Sequence, residues 1–154
     1  MTGNQGVVEG LNGLLADATV FYQKLRHYHW NVAGPDFFEL HTKFEEVYTR
    51  WAMSIDEIAE RTLMVDGVPL HTLAGMLSAT RLREDESIPA APDMVDAIVS
   101  DLQELRTRLV EVIELSETAD DRGTVNLLDG LTDGIEKDLW MFRAWKKDAA
   151  KSWS

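Results

Sequence analysis

Between His29 and Glu60 the chain concentrates imidazoles and carboxylates at helical spacing. His41 and Glu45 are four residues apart, as are Asp56 and Glu60, so each pair projects from one face of a helix. Imidazole with carboxylate is the donor set for iron or another borderline metal, and a chain without cysteine excludes thiolate sites. Taken singly, each group has an ordinary reading. His29 sits on an apolar stripe, His41 with Glu45 could be a surface pair, and Asp56 with Glu60 could be a solvated face. Their joint arrangement is what points to a metal.

The elements that must position these groups are legible from hydrophobic periodicity. From Val7 to Val32, Leu11, Leu14, Leu15, Ala18, Tyr22 and Leu25 recur at three- and four-residue steps, which predicts a long amphipathic helix ended by Gly34-Pro35. Asp36 is the expected N-cap of a second helix from about Phe37 to Val65, with Leu40, Phe44, Tyr48, Trp51, Ile55 and Ile58 inward and Asp66-Gly67, then Pro69, as its stop. A long connection over 66–92 follows, with a short extra helix expected within 70–77. A third helix opens near Asp93, the segment 118–123 breaks it, and a fourth runs from about Thr124 towards Lys151. Four long helices joined short–long–short predict an all-α four-helix bundle with one long crossover, the connectivity of ferritin-like bundles, as a single domain over 1–154.

One chain cannot close the site. On a helical wheel at about 100° per residue with Phe44 at zero, His41, Glu45, Asp56 and Glu60 fall near 60°, 100°, 120° and 160°, all on one flank. Along the axis, however, His41 and Asp56 are roughly 22 Å apart at ~1.5 Å per residue, whereas a metal–ligand bond spans about 2 Å. Positions 41, 45, 56 and 60 are symmetric about a point between Arg50 and Trp51. Two copies of this helix crossing antiparallel on a two-fold axis there would set 41 opposite 60 and 45 opposite 56, as an isologous contact requires. Each cluster would then take His41 and Glu45 from one chain and Asp56 and Glu60 from the other, with His29 arriving from the neighbouring helix across a short loop. The chain has no Glu-x-x-His motif, which argues against a di-iron site within the bundle core.

The run His29-Trp30-Asn31-Val32 with Gly34, then Phe38 and Leu40-His41, then Asp56-Glu57-Ile58-Ala59-Glu60-Arg61, resembles the Dps family of mini-ferritins (DNA-binding protein from starved cells). The likeness extends over nearly the whole chain, including Glu136-Lys137 and Trp140. It implies a hollow dodecamer built on two-fold dimers, with a ferroxidase centre at each end of every dimer interface. It implies oxidation of Fe(II) by hydrogen peroxide or oxygen, storage of ferric mineral in the cavity, and protection against oxidative damage. Carried over by position, the iron ligands are His29, His41, Asp56 and Glu60. Glu45 stands where members often have aspartate, and Trp30 resembles a tryptophan that takes up stray oxidising equivalents. Acidic entry pores at three-fold axes would draw on Asp120, Asp121, Asp129 and Asp133.

The bulk numbers agree with an acidic soluble protein: 154 residues, 27 acidic against 15 basic side chains and a formal net charge of −12. That charge attracts cations and disfavours phosphate backbones. Family members that bind DNA usually do so through a basic tail. Here the first basic residue is Lys24, and Arg143, Lys146, Lys147 and Lys151 at the other end equally suit the helix dipole, so tight DNA binding is not expected. The rival reading is a non-enzymatic nucleoid protein that compacts DNA. A cytoplasmic location is expected from the absence of cysteine, of a recognisable secretory leader and of any membrane-length apolar run. There is no nucleophile elbow and no glycine-rich phosphate loop.

Overall fold

The computed structural model describes residues 3–147. It consists of α1 (Gly3–Asn31), α2 (Phe37–Met64), a short α3 (Leu73–Ala79), α4 (Ala91–Thr118) and α5 (Arg122–Lys146), with no strand among the described residues. The expected run of the last helix to Lys151 lies outside them.

Side-chain pairs fix the topology. His29 meets His41 and Phe21 meets Trp51, so α1 and α2 are antiparallel. Lys24 bonds Asp101 and Arg108 bonds Asp17, so α4 runs antiparallel to α1 and therefore parallel to α2. Arg106 bonds Glu136 and Lys146 reaches Asp96, which makes α5 antiparallel to α4. This is the short–long–short bundle that the spacing predicts. Its core is one continuous cluster running from Val7 and Leu11 through Phe21, Tyr28 and Phe44 to Ile98, Leu128 and Phe142.

The helix ends follow local chemistry with two departures from expectation. Asp36 does occupy the N-cap of α2, yet its side chain makes no capping bond. The α2 stop is a Schellman arrangement: Asp66 N–H donates to Leu63 O and Gly67 N–H to Thr62 O, with Asp66 itself at φ 65°. The left-handed residue is thus the aspartate, a type that tolerates this region, and not the neighbouring glycine. α4 ends the same way on Asp120, at φ 56°.

The crossover is pinned by buried charge. Asp17 is fully buried on α1 and accepts from Thr80 Oγ1 and Arg81 N, both at 2.8 Å, and from Arg108 Nε at 2.9 Å. One carboxylate therefore ties three elements together. Further along, Tyr28 donates to Asp85 and His27 Nε2–H donates to Ser87 O, closing the second half of the crossover onto α1. Removing one partner of a buried ion pair strands the other, at a typical cost of about 3 kcal/mol. Asp17→Ala should lower unfolding stability by about that amount, seen as a lower urea midpoint at fixed protein concentration. An unchanged midpoint would show that this carboxylate does not hold the crossover.

Candidate metal centre

His29 lies in the last turn of α1 and His41 in the second turn of α2, and the loop 32–36 folds one back onto the other. The turn depends on Gly34, whose φ of 103° is a conformation that side chains rarely adopt. The two imidazoles then lock each other. His29 Nδ1 lies 2.6 Å from His41 O and His41 Nδ1 lies 2.7 Å from His29 O. A carbonyl can only accept, so both rings carry a proton on Nδ1, and in the neutral ring that leaves the Nε2 lone pair as the donor. This is the tautomer that a metal-binding imidazole needs, fixed from behind by backbone.

The rings stack at 3.8 Å between centroids and 14° between planes. Phe37 stacks on His41 at 4.9 Å, while Tyr48 stands edge-on to His29 at 5.3 Å. Packed on these sides, the imidazoles have little rotational freedom. His29 is 7% exposed, and its Nε2 is 3.5 Å from Glu45 Oε1. Glu45 is itself exposed. Burial, then the Glu45 charge, raises the Tyr48 hydroxyl above its ordinary value, so it stays protonated beside the site.

Asp56 and Glu60 lie on the exposed flank of α2 nearer its C-terminal end. A hydrogen bond to Asp56, reinforced by Asp56's charge, raises Glu60 above the ordinary glutamate value. Two carboxylates one turn apart disfavour each other's charge, which a cation placed between them relieves. Among the described residues no group of three or more His, Asp or Glu side chains converges as a metal site within this chain.

The other candidates fall as follows. Trp30 is 56% exposed, and the Arg26 guanidinium stands 5.0 Å from its ring centroid. Asp120, Asp129 and Asp133 are exposed. Asp121 is the N-cap of α5 and accepts from Thr124 N and from Arg61 at 2.7 Å. Burial pushes the Asp121 carboxyl up, but these donors outweigh it and hold it below the usual carboxylate value. Trp51, next to the proposed two-fold point, packs into the subunit's own core edge-on to Phe21 at 5.6 Å, so its substitution would report on folding rather than on an interface. His27 is fully engaged, donating from Nε2 to Ser87 O and accepting at Nδ1 from Asn31, and exposed His71 bonds Pro69 O. Tyr48 and Phe37 were readable only as stripe residues; their places against the imidazoles depend on how the loop folds.

The bundle has counterparts among known proteins. Residues 8–151 match the family described as the ferritin-like domain. The chain is 42% identical over 142 residues to DNA protection during starvation protein 2 of Bacillus anthracis, covering 92% of this chain and 97% of that one. The crystal structure of Dps from Staphylococcus aureus superposes with a TM-score of 0.93 at 35% identity, covering 96% and 99% of the two chains. A Dps protein from Vibrio cholerae, described as a member of a broad superfamily of ferritin-like diiron-carboxylate proteins, superposes at 0.91 with 37% identity over 94% and 91%. The chain is therefore a ferritin-like bundle protein. Within that class it belongs to the Dps proteins, the mini-ferritins.

The carboxylate pair gives a direct titration test. Glu60 should titrate above the ordinary glutamate value, and Asp56→Ala should return it there, both read from side-chain carboxyl carbon NMR. Because the shift is upward, the proton persists to higher pH, and divalent-cation binding at this arm should strengthen as pH rises through the Glu60 value. An unshifted Glu60 in the native chain would contradict its contact with Asp56.

Proposed function

We propose that this protein is an iron-oxidising, iron-storing mini-ferritin whose ferroxidase centres are each shared between two chains. The observation that carries the reading is the reciprocal His29–His41 clamp, which aims Nε2 of His29 at Glu45 while no group of three ligand side chains converges as a metal site among the described residues. The second copy supplies Asp56 and Glu60, whose mutual repulsion a bound cation relieves. His29, His41, Glu45, Asp56 and Glu60 then form an oxygen-rich, two-imidazole donor set suited to Fe(II).

Iron is the substrate here. Two Fe(II) each give up one electron to hydrogen peroxide, whose O–O bond breaks to yield two hydroxides and no free hydroxyl radical. Dioxygen is the slower alternative oxidant. The chain's own contribution is to hold the imidazoles in one orientation, to set a carboxylate pair against them from the second copy, and to bring two cations close enough to react as a pair. Trp30, exposed one residue beyond His29, is placed to take up an oxidising equivalent that escapes.

The ferric product is stored in the cavity of a dodecamer built from these dimers, with entry at three-fold pores drawing on Asp120, Asp129 and Asp133 and, less directly, the engaged Asp121. No helix among the described residues is long and apolar enough to cross a membrane, and the reading places the shell in the cytoplasm. A net charge of −12 per chain suits cation uptake and works against DNA. Of the C-terminal cations, Lys146 already pairs with Asp96 at 3.2 Å, and Lys151 lies outside the described residues.

Anaerobic loading with Fe(II) followed by peroxide, read as ferric absorbance, tests the assignment. Glu60→Ala should slow oxidation by at least about tenfold, in the range seen when a ligand or its support is removed. Equal rates for native and variant would return the chain to passive metal binding or to DNA association.

A further inference from the structure

The same symmetry that pairs the site residues also pairs two large apolar side chains that the subunit leaves in water. Phe38 is 82% exposed and Leu63 is 58% exposed, near the two ends of α2. Scattered exposed apolar residues are ordinary on monomers and need no explanation. These two are not scattered. Like 41 with 60 and 45 with 56, positions 38 and 63 are symmetric about the point between Arg50 and Trp51. On the wheel with Phe44 at zero, the line facing a second copy runs at about 110°. Phe38 and Leu63 fall at about 120° and 100°, closer to that line than either His41 or Glu60.

We infer that Phe38 packs against Leu63 of the second copy, forming an apolar clasp at each outer end of the dimer interface, just beyond each metal site. The inference rests on the shared-site reading above and adds to it the contact that sets its register. The rest of the flank fits such a seam. At the crossing the facing positions are Thr49 and Ala52, both exposed and small enough to let two backbones approach. Phe38 and Glu45 are seven residues apart, as are Asp56 and Leu63. That interval keeps one face turned towards a partner helix and favours a shallow crossing near 20°. At that angle two helices stay within side-chain reach even roughly 19 Å from the crossing, where Phe38 and Leu63 stand at ~1.5 Å per residue.

The clasp would also border the site. Phe37 stacks on His41, and Phe38 meets Phe37 edge-on at 5.2 Å, so an apolar wall already continues outward from the imidazoles. Leu63 of the second copy closes that wall over the His41 end and keeps bulk water from the ligands there. A slip of the interface by one helical turn would place Phe38 opposite a different residue and leave Leu63 in water, so apolar burial at both ends selects the register that aligns the carboxylates with the histidines.

The cysteine-free chain makes the test clean. A double variant, Phe38→Cys with Leu63→Cys, is treated with a short bismaleimide and run on a denaturing gel. The two thiols are roughly 37 Å apart along one helix at ~1.5 Å per residue, so any cross-link joins two chains. A second double variant, Glu45→Cys with Asp56→Cys, reads the two-fold dimer alone. The clasp requires the outer pair to shift from monomer to dimer mass, as the inner pair should, while Phe38→Cys alone stays monomeric. A dimer band from the inner pair only would overturn the clasp and leave the shared metal site standing. No band from either pair would overturn both.

Discussion

A helix advances by a fixed rise of about 1.5 Å per residue, and that constraint decides where chemistry can happen in this protein. The carboxylates of Asp56 and Glu60 lie on the same straight helix as His41 and Glu45, some four turns away. No rotamer closes that distance. On the proposed reading the ligand groups are divided into two half-sites: imidazoles locked by backbone at one end, a carboxylate pair at the other. Symmetry would complete the assembly, since one two-fold axis turns two half-sites in each chain into two whole ones.

The remainder of the fold keeps α2 straight and keeps its outer flank open. α1 backs the inner face with Phe21, Leu25 and Tyr28. On the α5 side, long cationic side chains bridge a wider gap: Arg50 holds Asp138 through bonds of 2.8 and 3.0 Å, and Arg61 holds Asp121 and Thr124. The crossover, pinned by Asp17 and by Asp85, stays against α1 and α4 instead of covering the outer flank of α2. Asp85 is held at a low value, about 2, by Ser87 and then by Tyr28. With its value depressed, its contribution to stability is present above the ordinary carboxylate range and is lost as pH falls towards 2.

Much of this was legible in the sequence. The apolar stripes gave α1, α2, α4 and α5, and the loop lengths gave their order, because burial at a 3.6-residue period is a strong and local signal. Site residue types and spacing were equally local. What the chain could not announce depends on atoms brought together by the loop 32–36: the paired Nδ1–carbonyl bonds, Phe37 against His41, and Tyr48 edge-on to His29. Asp36 shows the limit from the other side, a good N-cap type in the right place that makes no cap bond. Trp51, by contrast, was legible as an inward stripe residue, and its side chain does turn into the core.

Shared sites have a signature that no intrachain site can imitate. Chains carrying His41→Ala and chains carrying Glu60→Ala would each be deficient alone. Co-expressed, they form mixed dimers in which one site carries both lesions and the other carries neither. With random pairing, two-fold symmetry returns about a quarter of the native sites. Peroxide-driven Fe(II) oxidation by the co-expressed mixture should therefore recover to about a quarter of the native rate. A mixture no faster than either variant alone would mean that every site is built within one chain, and would contradict the account.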